Sequence, residues 1–121
     1  GGVDPNVMGL GPVPAIANAV KHAKIDINEI DIFELNEAFA AQSMGVVREV
    51  SQQFNVTEEM IFSKTNPKGG AIALGHPLGA SGNRIMVTLV HDLLQNNDAK
   101  IGLASLCIGG GMGTAVIYKK I

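Results

Sequence analysis

IFELNEAFAAQSMGVVREV, residues 32–50, changes its apolar period halfway through. Ile30, Ile32, Phe33 and Leu35 crowd into a short apolar run of strand type, whereas Phe39, Ser43, Val46, Val47 and Val50 recur at the spacing of one helical face. Asn36 stands between the two patterns. Asn is a favoured N-cap because its side-chain oxygen accepts an orphan N–H of the first turn, so Asn36 reads as the hinge of a strand–helix unit.

Working outward, the same alternation continues on both sides. Upstream, after Pro12 and Pro14, Ile16, Ala19, Val20 and Ala23 mark an amphipathic helix from about Ala15 to Lys24. Downstream, IFSKTN (61–66) reads as a weaker strand, followed by the glycine-rich stretch GGAIALGHPLGASG (69–82). From Ser81 onward, Ile85, Met86, Leu89, Val90, Leu93 and Leu94 keep helical spacing until QNNDAK breaks it. IGLASLCI (101–108) and TAVIYKKI (114–121) then form two strands joined by GGGMG, a hairpin whose loop exceeds the two-residue minimum. The order predicts an α/β fold: a mostly parallel sheet with helices on both faces and an antiparallel hairpin at the C-terminal end. A strand is expected before the first helix, and Gly1–Val3 supplies only its tail. The chain therefore reads as one domain, 1–121, cut downstream of its first strand.

Composition narrows the function classes. The 121 residues are 46% hydrophobic and 17% charged, with a net charge of −2, which is the profile of a folded domain. No lysine or arginine cluster occurs, which argues against nucleic acid or an anionic membrane as partner. No apolar run reaches membrane-span length. Cys107 is the single cysteine; it has no internal disulfide partner, and a reducing, cytoplasmic setting is expected.

The residues able to do chemistry share one position in the predicted topology. Asn36 follows the first strand, His76 lies in the loop after the second, and Cys107 ends the third. If the strands are parallel, all three emerge at one carboxyl edge of the sheet, where open α/β folds bind ligands. Each also has a plainer reading: Asn36 as a helix cap, His76 as a turn residue beside Pro77, and Cys107 as a small buried hydrophobe. Glu37 is either catalytic or a first-turn acid favoured by the helix dipole. His22 and His91 read as solvated helix residues. Phosphate motifs fail. No Gly-Lys-Ser or Gly-Lys-Thr is present, and Thr114 stands where GxGxxG needs its last glycine after Gly109 and Gly111. One cysteine and three dispersed histidines give no zinc spacing, so no metal site is expected. Gly109, Gly110 and Gly111 can instead turn the chain tightly and aim an amide at a developing oxyanion.

NEAFA (36–40), GGAIALGHPLGASG (69–82) and CIGGGMG (107–113), in this order, resemble the C-terminal half of the thiolases, and GVDPNVMGLGPVPA near the start resembles the family's entry into that half. The resemblance covers essentially the whole chain. It implies two similar halves stacked into five layers, and the reversible Claisen condensation of two acetyl-CoA to acetoacetyl-CoA and CoA. It also implies a nucleophilic cysteine in an N-terminal thiolase domain, with no counterpart here. By the same resemblance Cys107 takes and returns the α-proton of acetyl-CoA. His76 activates the nucleophile and helps hold a thioester oxygen, Asn36 positions a water in that oxyanion site, and Gly109 lends its N–H to a second oxyanion hole. Ala38 and Phe39 line the acyl pocket, or else simply pack their helix. The acyl-CoA thioesters are substrates and no separate cofactor is implied; the intact protein is expected to be a homo-oligomer.

The residue types suit that chemistry. A thiol, with an ordinary pKa of about 8.5, can both take and give a proton near neutral pH, and the enolate it creates needs donors aimed at the developing charge. Met112 resembles the short-chain members. A longer-chain 3-ketoacyl-CoA thiolase, a ketoacyl synthase and a non-catalytic thiolase-like binding or assembly domain are the alternatives. Lys68 departs from the family pattern, where a small polar residue is expected before the glycine pair. Without the first strand, an exposed sheet edge is expected.

Overall fold

The computed structural model describes residues 1–121. Three strands, β1 (Ile32–Leu35), β2 (Ile101–Gly109) and β3 (Met112–Lys119), form one sheet in the order β1-β2-β3. β1 runs parallel to β2 in the register Phe33↔Leu103 and Leu35↔Ser105, and β2 runs antiparallel to β3. Helices α1 (Pro12–Ala23), α2 (Ala40–Phe54) and α3 (Glu58–Ser63) cover one face, and α5 (Ser81–Gln95) covers the other. α4 (Ala71–Leu74) is a single turn within the glycine-rich stretch.

Alternation along the strands builds two cores. Phe33, Leu35 and Leu103 point toward Ile16 and Val20 of α1 and Val46, Val47 and Val50 of α2, while Ile32 and Ala104 point toward Ile85, Leu89 and Leu93 of α5. Both faces of β1 are buried, as expected of a strand in a parallel pair covered on two sides. The helix faces are largely those the apolar spacing marks. Ala23, Phe39 and Leu94 are exceptions, all exposed, the last two at 65% and 62%.

Several local expectations are corrected. α1 starts at Pro12 rather than Ala15, because proline tolerates the first helical position, where no N–H partner is needed. Asn36 does not cap α2. The helix begins four residues later at Ala40, with Phe39 as its N-cap. Residues 61–66 are not a strand. Thr57 accepts the Met60 N–H, Glu58 and Glu59 occupy the first turn, and this N-terminal signal winds Glu58–Ser63 into α3.

Thr65 and Asn66, just past α3, still behave like a strand edge. Thr65 makes a parallel bridge to Phe33, and the Asn66 side chain acts as a backbone substitute: its Oδ1 accepts the Leu35 N–H at 2.9 Å and its Nδ2 donates to the Leu35 carbonyl at 2.9 Å. The loop containing His76 therefore leaves from the same edge of the sheet as β1, although no strand precedes it.

The hairpin is tighter than the glycine run suggests. Gly109 pairs with Met112, so only Gly110 and Gly111 form the turn, both at positive φ (60° and 85°) as a type I′ hairpin requires. The register slips between Cys107 and Gly109, a bulge at Ile108 that places Cys107 within β2 rather than at its end. On the outer side of β3, Gly1–Val3 pairs antiparallel with the start of that strand. The Gly1 and Gly113 backbones exchange hydrogen bonds, and the Val3 N–H donates to the Gly111 carbonyl at 2.7 Å.

Candidate active site

The carboxyl ends of the two parallel strands open onto an apolar pocket of about 870 Å³. His76, Cys107 and Gly109 line it together with Ala38 and Phe39. This size lies within the usual range for small-molecule sites. Asn36 is not on the pocket wall. It is 1% exposed at the end of β1, held by its own N–H to the Ser105 carbonyl, and neither Oδ1 nor Nδ2 finds a protein partner. An amide buried in that state keeps its full donor and acceptor capacity.

Two parts of the pocket wall escape a reading of the sequence. A short 3-10 segment, Pro5–Leu10, contributes Val7, Met8 and Leu10, and α2 contributes Gln42. Val7 and Met8 are about half exposed, at 48% and 49%. Large apolar residues in a turn-rich stretch with no periodicity were the available signal, because nothing in a helix or strand pattern accounts for them.

His76 is tethered rather than free. Its Nδ1 lies 2.6 Å from the Ser81 hydroxyl, which also contacts the Pro77 carbonyl at 3.1 Å. Ser81 opens α5, so the N-terminal end of a 15-residue helix lies beside the imidazole and adds partial positive charge there. Gly75 (φ 97°) and Gly79 flank the histidine, and an added Cβ at either would meet open space. That leaves the pocket side of the loop uncrowded.

Glu37 is not the first-turn acid of α2, which begins three residues later at Ala40. Lying ahead of α2, its carboxylate accepts from Asn66 Nδ2 at 2.9 Å and from the Ile72 N–H at 3.0 Å, clamping the glycine-rich loop against the end of β1. A Cβ on Gly70 would overlap this carboxylate, so a side chain there would have to displace the Glu37 clamp. Lys68 faces away from the pocket. It pairs with Asp92 at 2.6 Å and donates to Gln95 at 2.8 Å, fixing the loop to α5.

The most unusual electrostatic feature is Glu34, two residues before Asn36 on the same strand face. It is fully buried with neither oxygen partnered, and the Arg84 guanidinium nitrogens are likewise buried without partners. Burial raises the Glu34 pKa from 4.5 to about 7. Arg84 opposes that rise, whereas Asp92 and Glu37 add to it. Between pH 4.5 and about 7 the unfolded chain releases this proton while the folded chain retains it, so folding stability falls as pH rises through that window. The full effect is about 3 kcal/mol. Glu34→Gln has no carboxyl to ionise. Urea melts at pH 5 and pH 8 are expected to show the variant gaining roughly 2–3 kcal/mol on the wild type between the two, because part of the effect is already lost at pH 5. Parallel curves would show that Glu34 titrates normally.

A mixed α/β sheet thus brings a thiol, an imidazole and a glycine turn to one apolar pocket. The chain belongs to the thiolase family: residues 1–120 match the family described as "Thiolase, C-terminal domain". A probable acetyl-CoA acyltransferase of Staphylococcus aureus (strain NCTC 8325 / PS 47) is 52% identical over 98% of this chain and 28% of its own length. An acetyl-CoA acetyltransferase of Syntrophomonas wolfei is 53% identical over 100% of this chain and 29% of its own. Among solved structures, the acetyl-CoA acetyltransferase from Syntrophomonas wolfei superposes with a TM-score of 0.90 at 44% identity, covering 100% of this chain and 30% of that one. Human mitochondrial 3-ketoacyl-CoA thiolase in complex with CoA gives 0.85 at 47%, covering 100% and 28%. The chain thus spans less than a third of the length of these relatives.

Proposed function

We propose that this chain is the C-terminal portion of a thiolase that joins two acetyl-CoA into acetoacetyl-CoA and CoA, and runs the reverse cleavage. The reading rests above all on Cys107, His76 and Gly109 sharing one pocket wall with Ala38 and Phe39. The Cys107 thiolate removes an α-proton from acetyl-CoA, and the resulting enolate attacks an acetyl group held as a thioester on a nucleophilic cysteine of the N-terminal domain. The carbon–carbon bond forms as that cysteine leaves as thiolate. In the cleavage direction Cys107 returns the proton to the departing acetyl-CoA carbon. His76 takes the nucleophile's proton and then faces a thioester oxygen. Asn36, with its unfulfilled amide, orients a water at the same oxygen, and the Gly109 N–H serves a second oxyanion site.

The apolar, open pocket also favours a second reading, a 3-ketoacyl-CoA thiolase with longer acyl chains. A series of 3-ketoacyl-CoA substrates of rising chain length, cleaved by the intact enzyme, separates the two: rates falling beyond four carbons support the acetoacetyl reading, and rates that rise support the alternative.

Because the only thiol here is assigned to proton transfer, the 121-residue chain alone is expected to show no acetyl-CoA exchange or condensation, while the intact enzyme shows both. Measurable turnover by the isolated chain would contradict the placement of the nucleophile outside it.

A further inference from the structure

We infer that Ser81 is a positioning residue that fixes the resting tautomer of His76, with the proton on Nδ1 and the lone pair on Nε2. Two contacts meet at the Ser81 hydroxyl: Nδ1 of His76 at 2.6 Å and the Pro77 carbonyl at 3.1 Å. Each is a hydrogen bond only if a proton lies within it. The hydroxyl owns one proton, and the carbonyl owns none. If Ser81 donates to Nδ1, the contact with Pro77 has no hydrogen. If Nδ1–H donates to Oγ and the hydroxyl donates to the carbonyl, which also accepts the Ala80 and Ser81 N–H groups at 2.8 Å, both contacts carry a hydrogen, one bond more than the other arrangement makes. Ser81 is fully buried, so solvent offers no other acceptor for its proton.

The consequence bears on the proposed reaction, and to that extent it rests on the thiolase reading. A lone pair on Nε2 can receive the nucleophile's proton. Once it has done so, the ring is an imidazolium with N–H groups at both positions. Ser81 still accepts from Nδ1–H, and Nε2–H now donates to the thioester oxygen. One ring nitrogen serves as base and then as donor without the ring moving, because Ser81 accepts from Nδ1 in both states. The reverse tautomer would present Nε2–H from the start and leave the nucleophile without a base. Ser81 holds this arrangement from the first residue of α5, whose register is set by Ile85, Leu89 and Leu93 in the core.

The test is nitrogen-15 NMR of the intact enzyme, labelled at histidine, at a pH where His76 is neutral. The expected spectrum has a pyrrole-type Nδ1 and a pyridine-type Nε2 for His76. In Ser81→Ala the two tautomers are expected to mix, and in Ser81→Thr, which keeps the hydroxyl, Nδ1–H is expected to persist. In the intact enzyme Ser81→Ala is expected to lower kcat on the order of 10- to 100-fold, less than removal of the base itself, with Ser81→Thr restoring much of the loss. A pyrrole-type Nε2 in the wild type would overturn the inference, as would an unchanged tautomer ratio in Ser81→Ala. Failure of the thiolase reading has a different signature: no turnover by the intact wild-type enzyme, whatever the tautomer.

Discussion

Condensation by the intact enzyme is expected to fall on the order of 10²- to 10⁴-fold in Cys107→Ala, the loss that removal of a positioned acid–base group brings. The α-proton of a thioester is weakly acidic, so no enolate forms at a useful rate unless a base meets that proton within the pocket. Alanine keeps the shape of the wall and removes only the proton carrier. Cys107 is partly exposed on β2 and paired with Gly113 across the hairpin, so truncation leaves no large cavity and the melting curve should stay close to wild type. The measurement is a condensation assay beside a thermal melt. Loss of rate with an unchanged melt supports the acid–base role. A full rate would reject it and favour a binding or assembly domain, which has no need of this thiol.

The largest effect on stability is expected at Gly113. The first turn of α1 crosses the start of β3 so closely that a Cβ on Gly113 would overlap the Gly11 carbonyl and the Pro12 nitrogen, and one on Gly11 would overlap the Met112 carbonyl. These are backbone atoms on both sides, with no rotamer to turn away. Either α1 lifts from the sheet or β3 shifts, and Ile16 and Val20 leave their places against Phe33 and Leu103. Gly113→Ala is therefore expected to cost at least about 3 kcal/mol, the upper end of overpacking penalties, out of a total of roughly 5–15 kcal/mol. Gly79→Ala is the internal control, because its Cβ would enter open space at an ordinary φ. Chemical denaturation should separate the two variants clearly. Equal stabilities would mean that the crossing is looser than described.

Much of this architecture was legible in the sequence because the signals were periodic. Val46, Val47 and Val50 on α2, and Ile85, Leu89 and Leu93 on α5, face the sheet as their spacing indicates, and the paired β2–β3 hairpin follows from the apolar runs around the glycines. Residues 61–66 misled because Ile61 and Phe62 are apolar in any structure, whereas the deciding information lay upstream in the Thr57 cap. Asn36 misled in the opposite way. Its capping propensity is real, but burial at the strand end overrode it, and the helix waited until Ala40.

At the site, His76, Cys107 and Gly109 meet in one pocket with Ala38 and Phe39 because their segments leave the same edge of the sheet, while Asn36 lies off the pocket wall. The wall from Val7 to Leu10 had no periodic signature, and the clamp from Glu37 to Ile72 joins residues 35 apart in sequence. The unpartnered Glu34 is an acid inside an otherwise apolar strand, a pattern visible in IFEL, whereas the Arg84 and Asp92 charges that act on it lie on α5 and cannot be named from that run.

The proposed chemistry requires a thiol and an imidazole to address the same thioester. The direct measurement is a crystal structure of the intact enzyme, its nucleophile replaced, with acetyl-CoA bound. The thioester oxygen is predicted at hydrogen-bonding distance, about 3 Å, from Nε2 of His76, with the methyl carbon turned toward Sγ of Cys107. Acetyl-CoA bound with its methyl group facing away from Cys107, or with its carbonyl out of reach of His76, would contradict it.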